Sequence, residues 1–128
     1  MLAYENPAVI RRIATDELLT EEEATRAFRG LLQFLFVAAT ATGPSSPSYY
    51  IDRAWHAFIL QTRDYADFCD RYFGHFIHHD NAEPAGSDDS SNAIYLETRA
   101  AAAAQFDLDE VIWPLPHRSA DSAGLTLD

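Results

Sequence analysis

The stretch from Thr20 to Thr42 can bury itself only inside a bundle of helices. It opens with Thr20 and Glu23, a threonine followed three residues later by a glutamate, a pairing that satisfies two backbone N–H groups at a helix start. Glu21, Glu22 and Glu23 fill the first turn, where the helix dipole favours negative charge. Ala24, Ala27, Phe28, Leu31 and Leu32 keep helical spacing, and from Phe34 to Ala41 the chain is apolar nearly all round. A helix apolar around its circumference is covered on several sides. Residues 20–42 are therefore expected to form the central helix. Gly30 weakens that helix by ~1 kcal/mol relative to alanine and allows another helix to cross closely.

Other helices are marked by their ends. Asn6-Pro7 is a cap followed by a proline at the first helical position. It predicts a short helix to about Ile13, interrupted at Thr15-Asp16. The segment Gly43-Pro44-Ser45-Ser46-Pro47 ends the central helix as a loop. Ser48 then caps a helix over residues 49–61, in which Ile51, Trp55, Phe58 and Ile59 form one apolar stripe. This stripe predicts that Trp55 is buried against the central helix. Thr62 is read as a second cap, with a helix over 63–73 and Gly74 as its stop. Residues 81–92 read as a polar loop, with Ser91 or Asn92 capping a last helix to about Phe106. The alanine run 100–104 suits close packing. Residues 111–114, Val-Ile-Trp-Pro, are expected to dock back on the body. No internal repeat and no strand-like alternation is present. The fold class expected is all-α, a compact orthogonal bundle of four to five helices, with one domain over 1–115 and a flexible tail over 116–128.

A chain of 128 residues is the size of one domain. Its net charge of −11 opposes binding to nucleic acid or to an anionic membrane surface. The same charge favours a cationic protein partner or a metal ion. The single cysteine cannot form an internal disulfide. The N-terminus lacks a signal-peptide pattern, and the apolar run 31–41 is about half the ~20 residues of a spanning helix. A soluble, cytoplasmic protein is expected.

Side chains able to bind a metal or carry out chemistry concentrate in residues 52–79, which hold four of the five histidines and the only cysteine. Asp52 and His56 are four apart and share one helix face. A break at Thr62 decides whether a shared site exists. Run straight through, thirteen residues at ~100° each set His56 and Cys69 on nearly opposite faces. Folded back, the two lie at similar heights on facing helices, and His75, His78 or His79 can join them from the segment after Gly74. Imidazole and thiolate suit Zn²⁺ or another transition metal. Asp52 would orient the His56 ring or serve as a ligand itself. The candidate metal residues are thus Asp52, His56, Cys69, His78 and His79. The same residues also suit an ordinary core, with Cys69 as a small hydrophobe. A third alternative is nucleophilic catalysis by Cys69, with a histidine stabilising its thiolate.

Residues 26–114 carry a combined pattern: Asp52, Trp55-His56, Ile59-Leu60, Thr62, Tyr65, Phe68-Cys69, Gly74 and the run 76–79, then Tyr95, Thr98, Phe106 and Trp113-Pro114. In this the chain resembles the bacterial glycine-rich domain-containing proteins, relatives of a module in larger plant proteins. It departs from them in lacking a glycine-rich region, with only 5 glycines, and in following Phe106 with Asp107. The resemblance implies a small helical domain. Two functional readings follow from the residues. One is a helical binding or accessory module whose His/Cys cluster is structural or holds one metal ion. The other is a metal-dependent enzyme with an open coordination position at a His56/Cys69/His79 site.

Overall fold

The computed structural model describes residues 1–79 and 89–115, and of residues 89 and 90 the backbone alone. The tail expected over 116–128 and most of the loop expected over 81–92 lie outside the described residues. Five helices follow in order: α1 (Pro7–Glu17), α2 (Glu21–Thr40), α3 (Tyr49–Leu60), α4 (Thr62–Phe73) and α5 (Asp89–Ala103). No strand occurs among the described residues. The all-α bundle expected from the sequence is what forms, and α2 lies at its centre, packed against α1, α3 and α5.

The capping box at α2 is present in both halves: Thr20 Oγ1 accepts from the Glu23 N–H at 3.1 Å, and Glu23 Oε1 accepts from the Thr20 N–H at 2.8 Å. The buried residues of α2 run around most of its surface, from Ala24 and Phe28 through Leu31, Leu32 and Gln33 to Phe34, Leu35 and Val37. Gln33 is polar and buried, and it is satisfied. Its Oε1 accepts from Trp113 Nε1 at 3.0 Å, while its Nε2 donates to the Asp107 carbonyl at 3.4 Å. Thus the C-terminal segment, expected to dock, does so through a polar contact as well as through buried Ile112 and Trp113. Ser48 Oγ, the α3 cap, donates to the Ile112 carbonyl at 2.6 Å, and Arg99 Nε donates to the Trp113 carbonyl at 2.8 Å. Arg26 clamps Asp109 through two bonds of 2.6 and 3.0 Å.

Helix boundaries differ from expectation at the end of α1, at the corner between α3 and α4, and at both ends of α5, which stops at Ala103 short of Phe106. α1 continues through Thr15-Asp16 to Glu17. Glu17 accepts from Arg53 Nε at 2.8 Å and from Tyr49, so contacts with α3 extend the helix past weak formers. It closes at Leu18, whose φ of 56° is the left-handed conformation usually given to glycine. The corner between α3 and α4 is made by Gln61, with φ −86° and ψ 71°; Thr62 is the first residue of α4 and no side chain caps it. α5 starts at Asp89, ahead of the Ser91 or Asn92 cap expected, and of its alanine run only Ala102 is buried. That run supplies helix propensity rather than a packing face.

Gly30 sits where α2 crosses the docked C-terminal segment. A Cβ there would overlap Ile112 Cγ2 and lie 3.5 Å from Ile51 Cγ1. Gly30→Ala therefore gains helix propensity and loses more to overlap with a buried, β-branched neighbour. A net destabilisation of ~1–3 kcal/mol is expected in a urea melt, and a stabilised variant would contradict this packing.

Burial pushes the Tyr95 phenol up to about 12, against the help of nearby Arg99. The neutral hydroxyl donates to the Pro114 carbonyl at 2.7 Å. In the unfolded chain the group ionises near pH ~10. The unfolded state therefore loses its proton first, and the stability Tyr95 confers is complete below pH ~10 and lost as pH rises towards about 12. The melting temperature should fall across that window, and less steeply in Tyr95→Phe.

Candidate functional site

The site grows from the corner at Gln61. The corner turns the inward faces of α3 and α4 towards each other: Trp55 and Phe58 on one side, Tyr65, Phe68 and Cys69 on the other, all buried. Trp55 is 6% exposed and its ring lies 5.1 Å from that of Phe34, so it packs on the central helix as its stripe predicted. Tyr65 is fully buried and its hydroxyl is used twice. It accepts from Trp55 Nε1 at 2.9 Å and donates to the Ile77 carbonyl. Burial pushes this phenol well above its usual range, with the Trp55 bond acting the other way.

Gly74 ends α4 in the left-handed conformation, φ 74°, with its N–H bonded to the Cys69 and Asp70 carbonyls. The chain then runs back as an irregular segment over 75–79. Tyr65 holds this segment twice, by the Ile77 carbonyl and by edge-on contact with the Phe76 ring at 5.1 Å. The segment thereby delivers His79 onto Trp55, ring centroids 4.4 Å apart, and His79 Nε2 to Asp52 Oδ1 at 2.7 Å. The two side chains remain partly open, 28% for His79 and 16% for Asp52. Asp52 stands in the first turn of α3, where the helix dipole favours a carboxylate.

This pair edges a cleft of about 210 Å³. Phe34 and Ala38 of α2 form one wall, Pro44, Ser45 and Pro47 of the α2–α3 loop another, and Trp55 and Ile77 complete it. His78 also lines the cleft, exposed and beside the Phe76 ring. An imidazole held by a carboxylate has a fixed orientation and a defined tautomer. Here the pair sets a carboxylate and an imidazole at the rim of a hollow with mixed apolar and polar lining.

The candidate metal residues are only partly assembled. Asp52, His78 and His79 line the cleft. His56 projects on the exposed side of α3, one residue round from buried Trp55, and Cys69 is 1% exposed within the core. Asp52 bonds His79 from a distant segment rather than His56 one turn along its own helix. The corner that was to join His56 to Cys69 instead joins the faces carrying Trp55 and Tyr65. Among the described residues no group of three or more His, Cys, Asp and Glu side chains is placed to hold a metal ion. Sequence reasoning missed the hub role of Tyr65 and the contribution of Phe34, Pro44, Ser45 and Pro47.

Residues 3–109 match the family model described as UCP032817-like. The chain belongs to that family. Asp52, Trp55, Tyr65 and His79 all lie inside the match, and the docked Ile112-Trp113 lies beyond it. The match overturns the assignment to the glycine-rich domain-containing proteins. It takes in α1, which that resemblance left out, and the residues that carried the resemblance include the bundle's own scaffold: Trp55, Tyr65, Phe68, Gly74, Tyr95 and Trp113. Side chains that hold helices together report a fold before they report a family. Comparisons with curated proteins and with solved structures return no match.

Tyr65→Phe keeps the ring and removes the hydroxyl, leaving the Trp55 N–H and the Ile77 carbonyl without their bonds. A loss of ~1–3 kcal/mol is expected in denaturant, with faster proteolysis within residues 74–79 than in the parent. Equal stability and equal protection would show that this hydroxyl does not tie the segment down.

Proposed function

We propose that this UCP032817-like protein is a small helical binding module whose ligand site is the cleft edged by Asp52 and His79. One observation carries the reading: a carboxylate–imidazole pair, 2.7 Å apart and seated on Trp55, opens onto a hollow that Phe34, Pro44, Pro47 and Ile77 help to wall. Binding sites combine apolar walls with a few placed polar groups, and this cleft has that composition. The larger groove of about 400 Å³ between residues 2–7 and α2 has Glu5, Glu21 and Arg29 around Phe28 and Leu32. Its own held polar pair, Asn6 and the Tyr4 hydroxyl at 3.1 Å, joins an amide to a phenol and includes neither a carboxylate nor an imidazole.

A metal ion at the same cleft is the second reading, favoured by Asp52, His78 and His79 sharing its lining. Asp52 and His79 would then be ligands, with water or substrate in the remaining positions, and a hydrolytic role would follow from such an open site. Stoichiometric metal in the purified protein, lost in His79→Ala, would favour it over a metal-free module.

The two tryptophans provide the test. Trp55 lines the cleft, whereas Trp113 is fully buried against Gln33. In an NMR titration with imidazole, benzylamine, indole and benzoate, at least one should move the Trp55 indole N–H signal and the backbone signals of Ser45 and Ile77. The Trp113 indole signal should stay in place. Perturbation confined to Leu2, Tyr4 and Phe28 would move the site to the other groove and sink this reading.

A further inference from the structure

The charges around the cleft are lopsided. Among the described residues Asp52 is the one acidic side chain in its lining, and no arginine lines it. The sequence contains no lysine, so arginine supplies every fixed side-chain cation. Arg53, the neighbour of Asp52, is turned to Glu17 at 2.8 Å. Among the described residues only His79 is hydrogen-bonded to the Asp52 carboxylate, through Oδ1. A carboxylate has about four acceptor sites, so this one keeps capacity for a further donor. A net charge of −11 raises the local concentration of cations at the surface.

Size narrows the ligand further. Drug-sized ligands fill about 300–1,000 Å³, and this cleft is about 210 Å³. It takes a group the size of one side chain. Its walls, from Phe34, Pro44, Pro47, Trp55 and Ile77, suit methylene groups, and an ammonium tip would donate to Asp52. Resting on the binding-module reading above, we infer that the cleft takes a primary ammonium group on a short alkyl stem. The stem lies against the aromatic and proline walls, and the ammonium meets the Asp52 carboxylate beside His79. An anionic ligand is disfavoured by Asp52, and a neutral one leaves that carboxylate with only its imidazole.

Three probes of similar size test this with the full chain at about pH 8, where a primary alkylammonium keeps its charge: n-butylammonium, 1-pentanol and butanoate. Butylammonium should move the Trp55 indole N–H signal with an affinity at least about tenfold above that of the other two, as a charge-assisted bond requires. Asp52→Asn should remove that advantage. Should this variant fail to fold, salt at about 0.5 M should weaken the amine and leave 1-pentanol unchanged, because screening acts on charge alone. Nα-acetyl-lysine amide identifies the source: tighter binding than butylammonium assigns the group to a lysine of a partner protein, weaker binding to a free amine. Pentanol or butanoate binding as well as the amine would overturn the inference and leave the binding cleft standing. If no probe reaches the Trp55 signal, the cleft reading falls with it.

Discussion

A helix that is apolar around most of its circumference cannot rest on one partner, and α2 is such a helix. Its burial sets the arrangement of everything else. α1, α3 and α5 each cover part of it, and the C-terminal segment closes over Gly30, where only a missing side chain lets Ile112 approach. Removing so much apolar surface from water drives the assembly. Gln33 travels inward with the apolar residues, and a buried amide without partners would cost ~1–3 kcal/mol. The Trp113 indole and the Asp107 carbonyl meet that need. The docked segment is therefore fixed by shape at Gly30 and by hydrogen bonding at Gln33, two independent constraints on one stretch of chain.

At the corner of α3 and α4, the Tyr65 hydroxyl does comparable work for the site. Trp55 brings an indole N–H into the core, and Ile77 brings a backbone carbonyl. One hydroxyl can donate and accept at once, so a single side chain satisfies both. This is why an irregular segment can lie against buried aromatics. It also explains how His79, 27 positions from Asp52, is held at hydrogen-bonding distance from it. The distance between those two groups is set by helix packing, by Gly74 and by Tyr65, with no local helical rule relating them.

That difference between local and distant geometry marks what the sequence discloses. The capping box at Thr20, the caps at Asn6 and Ser48, and the stop at Gly74 are short-range signals, and all form as read. The central position of α2 follows from its composition, and the burial of Trp55 from its stripe. The end of α1 was not legible, because Arg53 and Tyr49 of a distant helix hold Glu17. The partner of Asp52 was not legible either. Helical periodicity favours His56, four residues on, yet on α3 the burial of Trp55 turns His56 outward. Periodicity ranks neighbours on one helix and says nothing about which distant segment arrives on that face.

Since the same contacts build the cleft and fasten the 75–79 segment, the two share their free energy. Any group seated in the cleft touches Ile77, His78 or His79 on one side and α2 and α3 on the other. Its binding adds contacts that exist only while the segment is docked. A bound ligand therefore protects the segment from opening, by an amount set by its concentration relative to its dissociation constant. The converse holds with equal force: loosening Tyr65's grip on Ile77 lowers the fraction of molecules in which the cleft is complete, and apparent affinity falls by that fraction. On the proposed reading, stability at the corner of α3 and α4 and affinity at the cleft are thus thermodynamically coupled. The irregular segment is fastened to the core at three points, the Tyr65 hydroxyl, the Phe76 ring and the Asp52–His79 bond, so each of them bears on whether the cleft is complete.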